Sequence, residues 1–86
     1  MGITNRRAQI KLAIFELMLG FGAGVLGTDL WHHYIAAGRP FYDTLNSTEF
    51  MQCMDSLVED GDLVRDGLYY YNRTVGRARA RRDVEA

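Results

Sequence analysis

The chain has 86 residues, enough for one domain with a modest core and too few for two. Its 48% hydrophobic and 24% charged content excludes wholesale disorder, and a single cysteine, Cys53, excludes an intramolecular disulfide framework or a multi-cysteine zinc site. The formal net charge of −1 hides a segregation: seven acids against Arg65 alone lie between Asp43 and Asp66, and five arginines without an acid lie between Arg73 and Arg82.

At the N-terminus, Arg6, Arg7 and Lys11 precede an apolar run from Leu12 to Gly27, a faint copy of a signal peptide or short membrane span. The run is shorter than the ~20 residues a spanning helix needs. Glu16 inside it would cost about 2.5–3.5 kcal/mol on insertion. A soluble, cytoplasmic chain with no membrane partner is therefore expected, in keeping with the lone cysteine and a reducing compartment.

A first helix is expected from Thr4 or Asn5, either of which can cap it, to Leu19, with Gly20 as its stop. Ile10, Ala13, Ile14, Leu17 and Met18 fall on one face at helical spacing. Ala8, Leu12, Phe15 and Leu19 form a second apolar stripe on the opposite side. A helix apolar on two sides is either wholly buried or holds a partner, and in so small a domain the stripe points to a homodimer contact. Gly20 to Gly27 reads as a flexible connection. Thr28 is the expected cap of a second helix, with Asp29 in its first turn, Leu30, Trp31, Tyr34 and Ile35 on its buried face, and Gly38 and Pro40 at its end.

Asn46 stands three residues before Glu49, the spacing of a capping box that opens a third helix. Phe50, Cys53, Met54, Leu57 and Val58 share its apolar face; Thr48, Gln52, Asp55, Ser56 and Glu59 share the other. Gly61 supplies the left-handed residue that stops it. Leu63 to Arg65 and Leu68 to Tyr71 are β-prone runs joined by Asp66-Gly67, a type I′ turn sequence. Beyond Asn72 the arginine-alanine sequence has no apolar periodicity, and a frayed helix or a disordered tail is expected.

Three helices followed by a tight hairpin is the order of elements in the winged helix-turn-helix superfamily, a mainly α fold with a small β-hairpin. The segment Ser56 to Asn72 (SLVEDGDLVRDGLYYYN) resembles that superfamily's junction of recognition helix and wing. There a helix ends in Leu-x-x-x-Gly-x-Leu and runs into a strand, an Asp-Gly-type turn and an aromatic strand. The likeness covers residues 5–72. It divides the chain into a winged-helix domain, 1–72, and an arginine-rich tail, 73–86. One departure is that the short strand often found between the first two helices is replaced here by the glycine-rich loop.

The resemblance implies binding to double-stranded DNA, with the third helix in the major groove and the wing on the backbone. Carried over by position, Ser47 and Thr48 would meet phosphates, Gln52 would pair with adenine, and Arg65 would touch phosphate. Asp55 and Glu59 on the outer face of the same helix would repel DNA, which carries a charge about every 1.7 Å. Positive charge lies instead in Arg6, Arg7 and Lys11 in front, Arg39 in the turn, and Arg73, Arg77, Arg79, Arg81 and Arg82 behind.

Smaller signals are weaker by their chemistry. Gly22 to Gly27 matches GxGxxG by letter but lacks the βαβ unit that motif requires, so a flexible loop or packing glycines is the reading, and no cofactor is expected. His32 and His33 are adjacent and point ~100° apart on a helix, so they cannot chelate one metal together. Cys53 lies on an apolar face, and no nucleophile–base arrangement is visible, so no enzymatic activity is expected. The tyrosines 69–71 serve wing packing or base stacking. Two functions emerge: a small homodimeric DNA-binding regulator, or a winged-helix interaction module, such as a small viral or plasmid-encoded inhibitor, whose Asp55 and Glu59 dock on a basic protein.

Overall fold

The computed structural model describes residues 5–85, with side chains described through Arg79. Its elements are α1 (Arg6–Met18), β1 (Val25–Leu26), α2 (Gly27–Ala36), α3 (Ser47–Glu59), β2 (Leu63–Asp66), β3 (Tyr69–Asn72) and α4 (Arg73–Glu85). The strands form one antiparallel sheet in the order β1-β3-β2. The described residues thus form a small mixed domain of four helices and a three-stranded sheet.

The helices form where their caps and apolar faces demand. The Asn5 side chain accepts the Ala8 N–H at 2.7 Å at the start of α1, and the alternative cap, Thr4, lies outside the described residues. Ile10, Ala13, Ile14 and Met18 are buried, as their spacing predicts. In α3 the Asn46 side chain accepts the Glu49 N–H at 2.8 Å. The Glu49 carboxylate does not return to Asn46 as in a full capping box; it is taken by Arg6 instead. Phe50, Cys53, Met54 and Leu57 are buried beneath α3, and Trp31 and Tyr34 of α2 meet the Phe50 ring edge-on at 5.1 and 5.4 Å.

Four expectations need correction. The glycine-rich connection does contain a strand: Val25 pairs with Tyr70 and Leu26 with Tyr69. Because that pairing ends at Leu26, α2 starts at Gly27 with Leu26 as its cap residue, and Thr28 makes no cap. The hairpin turn is Gly67-Leu68 and not Asp66-Gly67, since Asp66 pairs with Tyr69. Gly67 has a φ of 63° while Leu68 stays out of the left-handed region, the pattern of a type II′ turn. Arg65 closes this turn by donating from Nε to the Gly67 carbonyl at 2.9 Å, and Leu68 is left in solvent.

The fourth correction is that the tail, expected as a frayed helix or as disorder, is a helix that packs. Residues 73–85 form α4, continuous with β3 and packed on the hairpin. The sheet therefore has two covered faces. Leu63, Tyr70 and Asn72 turn towards the three-helix core, while Val64 and Tyr71 turn towards α4. Gly76 is buried against Val64 so closely that a Cβ there would lie 2.4 Å from the Val64 Cγ2. Arg79 lies over the Tyr71 ring at 4.5 Å. A helix held by a glycine and a stacked arginine has no apolar stripe, which is why hydrophobic periodicity misses it.

Asn72 joins these layers. Buried at 5% exposure, it donates to the Met18 and Phe21 carbonyls at 3.2 and 2.9 Å and accepts the Val75 N–H at 2.9 Å. Replacing it, Asn72→Ala, strips the Phe21 carbonyl of its donor, leaves the Met18 carbonyl with the Phe21 N–H alone, and uncaps α4. The expected cost is about 2–3 kcal/mol, read as a lower Tm with loss of helical circular dichroism. An unchanged Tm would refute this role.

Candidate nucleic-acid interface

The outer row of α3 runs through Thr48, Gln52, Asp55 and Glu59, all exposed, with Ser47 exposed at the helix start. Neighbouring elements set two of these side chains. From α1, Arg7 Nη2 donates to Gln52 Oε1 at 2.8 Å. From β2, Arg65 Nη1 lies 3.7 Å from Asp55 Oδ1. The row is thus flanked by one guanidinium on each side, and Arg65 is further steadied by its bond to Gly67 and by the Tyr70 ring 5.6 Å away.

The remaining cations divide into clamped and open groups. Arg6 is a structural clamp: it donates to both Glu49 oxygens, at 2.9 Å from Nη2 and 3.1 Å from Nε, and to Thr44 Oγ1 at 2.9 Å. It also lies over Phe41, 4.9 Å from the ring centre. Phe41 has a φ of 66°, a left-handed conformation that a bulky residue avoids. The contacts of Arg6 and the bond from Leu45 N–H to the Phe41 carbonyl at 2.8 Å hold that turn against the start of α3. Lys11 is tied to Asp60 at 2.6 Å, and Arg79 to Asp66 at 2.8 Å. Arg73 and Arg77 are exposed with no ion pair to a described residue, and the Arg39 Nε is buried without a hydrogen-bond partner. The side chains of Arg81 and Arg82 lie outside those described.

Every ion pair among the described residues thus joins a base to an acid of the Glu49–Asp66 stretch. Of the two charge blocks marked in the sequence, Arg79 and Asp66 meet each other; the other paired acids are held by Arg6, Lys11 and Arg65, and Arg73 and Arg77 stay open. The signal was present in the segregation itself, but which acid meets which base depends on α1 lying along α3. The same holds for the Arg7–Gln52 bond and for Asn72 as a helix cap, neither of which has a local signature.

Burial and pairing shift several ionisable groups. The hydrogen bonds from Arg6 hold the Glu49 carboxyl below its ordinary range, and the same bonds raise the Arg6 guanidinium. Burial pushes the Tyr34 phenol up to about 12, where its hydroxyl donates to the Pro40 carbonyl at 2.7 Å, and also raises the Cys53 thiol and the Tyr70 phenol. A raised, buried thiol is the wrong state for a nucleophile. His32 and His33 are exposed, with His33 edge-on to Phe21 at 5.3 Å. No cluster of three or more metal-binding side chains occurs among the described residues, and no described helix is long and apolar enough to cross a membrane.

In comparisons with known proteins, no family model matches this chain, and no curated protein or solved structure matches it.

The Arg6–Glu49 clamp has a measurable pH signature. A carboxyl whose folded pKa is depressed adds stability that is complete above its unfolded value, ~4.3, and is lost as pH falls through the folded value. Glu49→Gln should therefore melt below the parent chain at pH 7, with the Tm gap closing as pH drops from ~5 to ~2. A gap that stays constant across that range would exclude the clamp as its source.

Proposed function

We propose that this chain is a small DNA-binding protein of the winged helix-turn-helix type, acting as a transcriptional regulator. The order α1-β1-α2-α3-β2-β3 supports this reading, because it supplies the short strand between the first two helices that the superfamily often has. The observation that carries it is the row on α3 flanked by Arg7 and Arg65. In this reading α3 enters the major groove start-first, so that Ser47, Thr48 and the free N–H groups of the first turn face phosphate. Gln52, oriented by Arg7, reads a base edge. Arg65 and the Gly67-Leu68 turn approach the backbone beside it, and Arg73 and Arg77 add open positive charge.

The acidity of α3 is less of an obstacle than its composition implies. Glu49 is neutralised by Arg6 and Asp55 faces Arg65, while Glu59 lies at the far end of the helix. A duplex engaged by the first turn meets little uncompensated negative charge. The second reading, a protein-interaction module docking through Asp55 and Glu59, is favoured by the exposure of both and by the long 3.7 Å Asp55–Arg65 contact.

Fluorescence anisotropy on a duplex pool at low salt tests the proposal. Binding is expected, weakening steeply with salt at a log–log slope of roughly 0.9 per phosphate contact. Removing Arg73 and Arg77 together should flatten that slope, while Gln52→Ala should cost about 1–3 kcal/mol on the preferred site and little elsewhere. Reversing Asp55 and Glu59 to lysine should tighten DNA binding. Absence of binding to any duplex would overturn the reading.

A further inference from the structure

The outward stripe of α1 is an apolar feature that the fold leaves open. Leu12 is 60% exposed and Leu19, the cap residue of α1, 56%; Ala8 is exposed and Phe15 half-buried. Beside the stripe runs a groove of about 540 Å³, with Ala8, Leu12 and Phe15 on one wall and Leu57 and Asp60 on the other. Of the four stripe residues only Phe15 also packs against the core, which Ile10, Ala13, Ile14 and Met18 fill from the opposite side of the helix.

We infer that this stripe pairs with the same stripe of a second copy of the chain, with the two α1 helices side by side and parallel. The spacing 8, 12, 15, 19 is the alternating four-and-three step of a coiled-coil seam, with Ala8 and Phe15 at d positions and Leu12 and Leu19 at a positions. That assignment places Lys11 at a g position and Glu16 at an e position. In a parallel pair the Lys11 of one copy meets the Glu16 of the other, twice by symmetry. An antiparallel pair sets g positions beside g and e beside e, so Lys11 and Glu16 no longer meet. Glu16 is exposed and makes no ion pair with a described residue. Lys11 gives one of its three donors to Asp60, leaving two for a neighbour. The charges flanking the seam are therefore complementary to a second copy in one orientation only.

This pairing also deepens the DNA-binding reading without resting on it. The contacts Arg6–Glu49 and Lys11–Asp60 show that α1 and α3 run in the same direction. A two-fold axis along paired α1 helices then sets both α3 starts at the same end of the dimer, where one duplex can reach both.

Sedimentation velocity on the full chain, without DNA, reads the oligomeric state directly. The expected mass is twice 9.8 kDa. Leu12→Asp and, separately, Leu19→Glu should each halve it while leaving circular dichroism unchanged, because both side chains are already exposed. Orientation is read by Leu19→Cys under oxidation, with Cys53 buried and out of reach. Parallel helices bring the two introduced thiols together and yield a covalent dimer. Antiparallel helices hold them ~16 Å apart, beyond disulfide reach, and yield none. A parent chain that stays monomeric at high micromolar concentration, a dimer that survives both substitutions, or an uncrosslinked Leu19→Cys dimer overturns the inference. A monomer that still binds duplex DNA would leave the functional reading intact.

Discussion

Asn72 is the one polar side chain that the core keeps among the described residues, and most of the architecture passes through it. Its amide holds the last carbonyl of α1, Met18, and that of Phe21 just beyond it, and its oxygen caps the start of α4 at Val75. A buried amide of this kind stabilises only when all its partners are present, so the positions of α1, β3 and α4 are mutually required. The register of the hairpin follows from the same constraint. Asn72 reaches the core side only if it shares a face with Tyr70, and it pairs with Leu63 only if the turn moves to Gly67-Leu68. A strand that looks like an independent local unit is thereby fixed from its far end.

Electrostatics form the second layer of organisation. The acidic middle of the chain meets its basic flanks across α1–α3 and β2–α4, and its own Arg65 across α3–β2. Exposed pairs of this sort each contribute little, typically below ~1 kcal/mol, so their effect is less on stability than on which charges remain available. Arg6 is used up in holding the Phe41 turn, whereas Arg7, exposed, bonds among the described residues to the neutral amide of Gln52. A composition of near-balanced charge thus becomes a surface on which Arg7 stands open beside Gln52 and Arg73 and Arg77 stand open on α4.

What the sequence disclosed, and what it hid, follows the range of the interactions involved. The α1 and α3 caps, the buried faces of the first three helices and the stop glycines Gly38 and Gly61 are local, and Asn5, Asn46 and the 3.6-residue spacing announce them. β1 is two residues long and exists only because Tyr69 and Tyr70 lie beside it, so no window of sequence contains its cause. α4 hid for a different reason: its contact surface is Gly76, whose value is the absence of a side chain, and Arg79, whose value is a flat cation over Tyr71. Of the candidate site, sequence names only separate positions, Ser47, Thr48, Gln52 and Arg65, and none of the contacts made to them. The guanidinium that orients Gln52 belongs to a helix 45 residues away in sequence, and only folding reveals it.

The sheet order has a last consequence, for the chain's behaviour in a crowded solution. With β3 in the centre, both outer strands are free to recruit a neighbour's backbone, the usual first step towards fibrillar aggregates. β1 offers only two residues, too short a template to be useful. β2 offers four, but Arg65 and Asp66 stand in succession at its open end, and Arg79 ties Asp66 down from α4. The ion pair that anchors the last helix therefore also guards the exposed rim of the sheet against its own kind.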